Sequence, residues 1–144
     1  MTHVVVDANF SLAQVLPLPY SPAVIQRMRA WQNELPRILV PGLWEHEVVT
    51  GLRRACFQGL LSLEQAQTSL DELLGMVLEV VPASDRLHRR ALEWAERLGQ
   101  SRAYDAQYLA LAEQAGAELW TGDRRLANDA AALSVEWVHW VGKS

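Results

Sequence analysis

Short apolar runs alternate with amphipathic stretches five times along this chain. Val4–Val6 is a β-branched run too short for a helix, and Asp7 follows it directly. That predicts a buried strand with an acid at its C-terminal end. Ile38–Val40, Leu78–Val81 and Ala117–Thr121 repeat the apolar pattern, and a last strand is expected near Val135–Val138. Pro41-Gly42 ends the second run and Pro82 the third.

The intervening stretches have helical periodicity. After Asp7, Asn9 or Ser11 can cap a short helix that Pro17 and Pro19 close. Ser21-Pro22 reads as an N-cap with proline at the first helical position. Val24, Ile25, Met28, Trp31 and Leu35 then line one face before Pro36. Leu43 to Phe57 places Trp44, Val48, Leu52 and Ala55 on a core side, with Gly59 as the stop. Ser62 and Gln65 have capping-box spacing, opening a helix with Leu63, Ala66, Leu70, Leu73, Leu74 and Val77 inward.

Ser84 caps the next helix, whose Leu87, Ala91, Trp94 and Leu98 face inward until Gly99. A short amphipathic helix follows Ser101 and stops at Gly116, and a final helix begins at Asp123. Strand and helix in this alternation predict an α/β class protein, a parallel sheet with helices on both faces. No linker, repeat or low-complexity segment divides residues 1–144, so one domain is expected.

Composition narrows the function classes. The net charge of −4 argues against a broadly basic nucleic-acid binder. The pairs Arg53-Arg54, Arg89-Arg90 and Arg124-Arg125 could form a local basic patch, or simply solvated helix faces. Cys56 is the only cysteine, which excludes an intramolecular disulfide and a multi-cysteine metal cluster. Val4–Val6 runs into Asp7 with no basic n-region or cleavage site, and no apolar run approaches the roughly 20 residues that span a bilayer. A cytoplasmic protein is the expectation.

The acids carry the chemistry. In an open parallel sheet, ligands bind at the carboxyl ends of strands and the adjacent helix starts. Asp7 and Asp123 each follow a strand, and Asp105 lies in the first turn of a helix. Each also has an ordinary role available, as a turn residue, N-cap or first-turn acid. Glu45 and Glu47 compete on the helix after the second strand, and helical spacing alone does not choose between them. Several carboxylates at one edge would repel and raise each other's pKa. Mg²⁺, a hard cation with oxygen ligands, relieves that repulsion, and one or two such ions support phosphodiester hydrolysis.

The segments Val4-Val5-Val6-Asp7-Ala8-Asn9, Pro41 through Glu47-Val48, Tyr104-Asp105-Ala106 through Ala112, and Leu119-Trp120-Thr121-Gly122-Asp123-Arg124-Arg125-Leu126 together resemble the PIN-domain family. Within it they are most similar to the VapC-type toxins of bacterial toxin–antitoxin pairs. The resemblance covers nearly the whole chain. It implies four catalytic, metal-binding acids at Asp7, Glu47, Asp105 and Asp123, so it chooses Glu47 over Glu45. Asn9 and Thr121 match polar positions that would contact substrate. Thr50 departs from the asparagine common in relatives, a small polar exchange. The resemblance further implies an α/β/α sandwich with strand order 3-2-1-4-5, ribonuclease activity with Mg²⁺ or Mn²⁺, homodimerisation, and a small antitoxin partner. Trp31, Trp44 and Trp94, on helices, would suit such interfaces if exposed and the core if not.

Rival classes lack their own residues. A phospho-acceptor aspartate domain of the haloacid dehalogenase or receiver type needs a lysine after a later strand, and the single lysine is Lys143. The dehalogenase type also wants an acid where Asn9 stands. A dinucleotide-binding domain needs a glycine-rich turn after the first strand, and Asp7-Ala8-Asn9-Phe10 has none. A housekeeping RNA-processing nuclease and a catalytically silent PIN-like binding module remain as alternatives to the toxin. A silent module would be marked by a missing acid, and all four are present.

Overall fold

The computed structural model describes residues 2–142. Lys143, on which the exclusion of a phospho-acceptor site turned, lies outside them. Five strands alternate with seven helices among the described residues: β1 (His3–Val6), α1 (Ala8–Leu12), α2 (Ser21–Glu34), β2 (Arg37–Pro41), α3 (Leu43–Phe57), α4 (Leu63–Leu74), β3 (Glu79–Val81), α5 (Asp85–Leu98), α6 (Tyr104–Ala115), β4 (Glu118–Thr121), α7 (Arg124–Ala132) and β5 (Val138–Trp140). All strands are parallel, in the order β3-β2-β1-β4-β5. The result is the α/β/α sandwich.

Chain direction across the sheet reverses at β1. From there it runs outward through β2 to β3, returns to β4 on the other side of β1, and ends at β5. A crevice opens at such a switch point, beyond the carboxyl ends of β1 and β4. Val6 pairs with Trp120, so Asp7 and Thr121 emerge side by side there.

Helix α6 is buried on most sides, with Ala106 and Tyr108–Ala112 all inaccessible. It is therefore a central helix and not the amphipathic one expected, because it packs on β1, β2 and β4 with α5 outside it. Helix α1 packs on α3, where Gly51 has no room for a side chain. A Cβ at Gly51 would stand 2.3 Å from Leu12 Cδ1. Trp44 Nε1 donates to Ser11 Oγ at 2.9 Å and pins the first turn of α3 to α1.

Several local expectations are corrected. Asp7 itself, not Asn9 or Ser11, caps α1 by accepting from the Phe10 amide. Ser21 does not cap α2; its hydroxyl turns back to the Leu16 carbonyl and accepts the Leu18 amide. Ile25 on α2, Leu35 at its C-cap, and Leu63, Leu74 and Val77 around α4 are exposed. Among the described residues nothing covers the outer side of α4, and only Ala66 and Leu73 are fully buried there. The last strand begins at Val138, later than the expected Val135, because Leu119 pairs with Val138 and its amide bonds the Trp137 carbonyl. Trp31, Trp44 and Trp94 are core residues, between 1% and 5% exposed, so they do not form an interface surface. The capping box at Ser62 and Gln65 and the cap at Ser84 form as expected.

Candidate active site

Asp7 is held at the C-terminal end of β1 by three hydrogen bonds. Its Oδ1 accepts the Phe10 amide at 2.8 Å and the Gly122 amide at 3.2 Å. The Thr121 hydroxyl donates to Oδ2. Only 5% of Asp7 is exposed. Burial outweighs the three donors and lifts its pKa to about 7, with the Asp105 charge adding to the rise.

Thr121 serves two acids at once. The same hydroxyl oxygen that donates to Asp7 accepts the Asp123 amide at 2.8 Å. Asp123 is the N-cap of α7, its Oδ1 accepting the Arg125 and Leu126 amides at 2.9 and 3.4 Å. Thr121 itself is fully buried, so its geometry is that of a strut between two carboxylates.

Glu47 and Asp105 come from helices. Glu47 lies one turn into α3 and is half-buried, whereas Glu45 is exposed. The Tyr108 hydroxyl donates to Glu47 Oε1 at 2.5 Å. Burial raises the Glu47 pKa, Tyr108 opposes that, Asp105 adds to it and Arg54 subtracts. Asp105, in the first turn of α6, accepts from Gln100 Nε2 at 3.2 Å. Its pKa is raised mainly by burial and further by the charges of Asp123 and Asp129, against Gln100 and Arg125.

Burial is the largest cause of all three raised pKa values, and the Asp105 charge adds to those of Asp7 and Glu47, as the Asp123 charge adds to that of Asp105. The four sequence-selected acids occupy one edge, Glu47 and Asp105 from helices and Asp7 and Asp123 from the ends of β1 and β4. Glu45 is exposed. Asn9 is exposed in the first turn of α1, beside Tyr20, whose hydroxyl donates to its carbonyl at 3.2 Å.

Among the described residues, no group of three or more His, Cys, Asp or Glu side chains is arranged to grip a metal ion directly. Each acid is engaged by its own partner instead. The donor set still suits one class of ion. It is all carboxylate oxygen, mutually repelling and partly dehydrated, and Mg²⁺ binds through one or two carboxylates while keeping several waters.

Sequence reasoning missed Tyr20, Gln100 and Tyr108. Tyr108 had a signal, since it stands three residues after Asp105 and shares its helix face. Tyr20 had none, because it meets the site only across the fold, where it packs on Gly122. Burial and the charges of Asp7 and Asp123 push its phenol up to about 12.

Comparison with known proteins bears on the family and the fold. The PIN domain model matches residues 4–131. Ribonuclease VapC1 of Mycobacterium tuberculosis (strain CDC 1551 / Oshkosh) is 40% identical over 88 residues, covering 60% of this chain and 63% of that protein. The chain therefore aligns with somewhat less than two thirds of that relative's length. Among solved structures, VapC20 of Mycobacterium tuberculosis, described as a sarcin-ricin loop cleaving toxin, superposes with a TM-score of 0.65 at 21% identity, over 90% of this chain and 94% of that one. VapBC2 from Rickettsia felis, bound to a DNA fragment from its promoter, gives 0.69 at 15% identity, over 96% and 98%. At such identities the structural likeness speaks for the fold alone. The family match extends from β1 through α7 and takes in all four acids at the switch point, and by it this chain belongs to the PIN domain family.

Proposed function

We propose that this protein is a metal-dependent endoribonuclease that hydrolyses RNA phosphodiester bonds, and that it is the toxin of a type II toxin–antitoxin pair. The observation that carries the reading is the placement of Asp7 and Asp123 at the adjoining ends of β1 and β4, with the half-buried acids Glu47 and Asp105 close enough for their charges to act on one another there. Such a concentration of like charge is unfavourable in the protein alone and becomes useful once a cation is bound. The name and activity of ribonuclease VapC1, and the toxin and toxin–antitoxin descriptions of the structural neighbours, support the same reading.

In this reading Asp7, Glu47, Asp105 and Asp123 hold Mg²⁺ or Mn²⁺. The bound ion supplies an activated water and a clamp on the phosphodiester. Asp7 and Asp123 are kept in place by Thr121, which acts as a positioning residue and does not touch RNA. Asn9 is exposed at the rim and faces substrate. Homodimerisation, a small antitoxin and a cytoplasmic location belong to the same proposal. Among the described residues no helix is long and apolar enough to cross a membrane.

The test is cleavage of an RNA pool by the purified chain with Mg²⁺, with Mn²⁺ and after EDTA. Metal-dependent cleavage is expected, and activity that survives thorough chelation would overturn the mechanism. A small reading frame adjoining the gene, whose product binds this chain and silences it, separates the toxin from a housekeeping nuclease. Sedimentation at tens of micromolar tests the dimer.

A further inference from the structure

Tyr108 is a tyrosine in the core whose hydroxyl has a single close side-chain partner, Glu47 Oε1 at 2.5 Å. Only 2% of the residue is exposed, so water does not compete for that proton. The Ala8 backbone also hydrogen-bonds this oxygen, but the hydroxyl proton goes to Glu47, and a buried donor left unpaired is costly. The two residues are 61 positions apart, on α3 and α6.

Glu47 needs such a restraint. It is a long side chain, half-buried, one turn into α3, and the Asp105 charge pushes on it. An unrestrained glutamate there would rotate outward, toward solvent and away from Asp105. Tyr108 has only two side-chain torsions, and α6 is fixed against β1, β2 and β4. Asp105 and Tyr108 lie three residues apart, so the same face of α6 presents an acid and the group that holds a second acid.

We infer that Tyr108 is a positioning residue that clamps the Glu47 carboxylate toward the other three acids and so sets the affinity of the site for a divalent cation. The inference rests on the metal-dependent reading of the site. It is a claim about Glu47 alone, since Asp7, Asp105 and Asp123 are held by other partners.

The test is Mn²⁺ titration, by calorimetry or by electron paramagnetic resonance, of wild type, Y108F, E47Q and the E47Q/Y108F double variant. Y108F keeps the ring and its packing and removes only the hydroxyl. Loss of a hydrogen bond to a charged group is expected to weaken Mn²⁺ binding about tenfold to a hundredfold. In cleavage assays at fixed Mn²⁺, kcat should fall while KM for RNA stays near wild type. The double variant should bind Mn²⁺ like E47Q, because without the carboxylate the clamp has nothing to hold. It also removes the carboxylate charge and the phenol proton together, so a change in stability of Y108F alone is separated from the loss of the clamp by comparing melts of the single and double variants.

Wild-type affinity in Y108F would overturn the inference, as would a double variant weaker than E47Q by the full Y108F factor. A different result would sink the underlying reading and this inference with it: wild type that binds no Mn²⁺ at millimolar concentration, or E47Q that binds it as well as wild type.

Discussion

Thr121 donates its hydroxyl proton to Asp7 across 114 positions of sequence, at the buried carboxyl ends of two adjacent strands. Its oxygen is simultaneously the acceptor for the amide that starts α7 at Asp123. Thr121→Val keeps the shape and strips both functions. The orphaned amide and the lost donor should cost roughly 1–3 kcal/mol of stability and reduce cleavage severely. Thr121→Ser should restore most of both. Thermal melts and RNA cleavage of the two variants check this, and a fully active valine variant would contradict the strut role.

Asp7→Asn should abolish cleavage and change stability in a pH-dependent way. The folded chain keeps the Asp7 proton up to about pH 7, whereas the unfolded chain releases it near 3.8. The stability linked to this group is therefore full below about pH 4 and lost as pH rises through 7. A shift of that size corresponds to a penalty on the order of 4 kcal/mol at pH 8. Asparagine escapes it but leaves the Thr121 proton without its carboxylate, at roughly 1–3 kcal/mol. Metal-free melts should show the variant more stable than wild type at pH 8, with the advantage gone near pH 4. A variant less stable at both would show that burial is not the controlling force at Asp7.

Glu45→Gln should leave cleavage intact, and Glu47→Gln should eliminate it. Glu45 is exposed in the first turn of α3, where its charge interacts with the helix dipole for about 0.3–1 kcal/mol. The two variants assayed side by side settle the matter, and the reverse pattern would move the helix acid to Glu45.

Gly122→Ala should destabilise the protein through a collision at the rim of the site. The backbone of Gly122 has no unusual conformation; the constraint is space. An added Cβ would stand 2.6 Å from Tyr20 Cε2 and 2.9 Å from the Asn9 carbonyl carbon. The tyrosine ring can yield, but the main chain of α1 is fixed by the Asp7 cap. Overpacking of this kind costs about 1–3 kcal/mol, readable as a lowered Tm. An unchanged Tm would mean that α1 moves freely.

The alternation of apolar runs and helical faces was legible in the residues, because strand and helix periodicities are local properties of the chain. So was the list of acids at strand ends and helix starts, since Val4–Val6 precedes Asp7, Thr121-Gly122 precedes Asp123, and Gly99 and Ser101 mark the boundary before Asp105. The choice of Glu47 came from resemblance to a family; in the fold Glu47 is half-buried and accepts from Tyr108, whereas Glu45 is exposed.

What only the tertiary structure decided depends on neighbours that the helical wheel does not contain. The outer side of α4 stays bare because no element among the described residues packs there, so Leu63 and Leu74 are exposed despite their spacing. Helix α6 reads as amphipathic yet is buried on most sides, because three strands and α5 surround it. Register with Leu119, not apolarity, starts the last strand at Val138. The roles of Thr121, Tyr20 and Tyr108 likewise arise from contacts across 114, 102 and 61 positions. Local sequence specifies which groups each element offers, and close packing between distant elements specifies which of them meet.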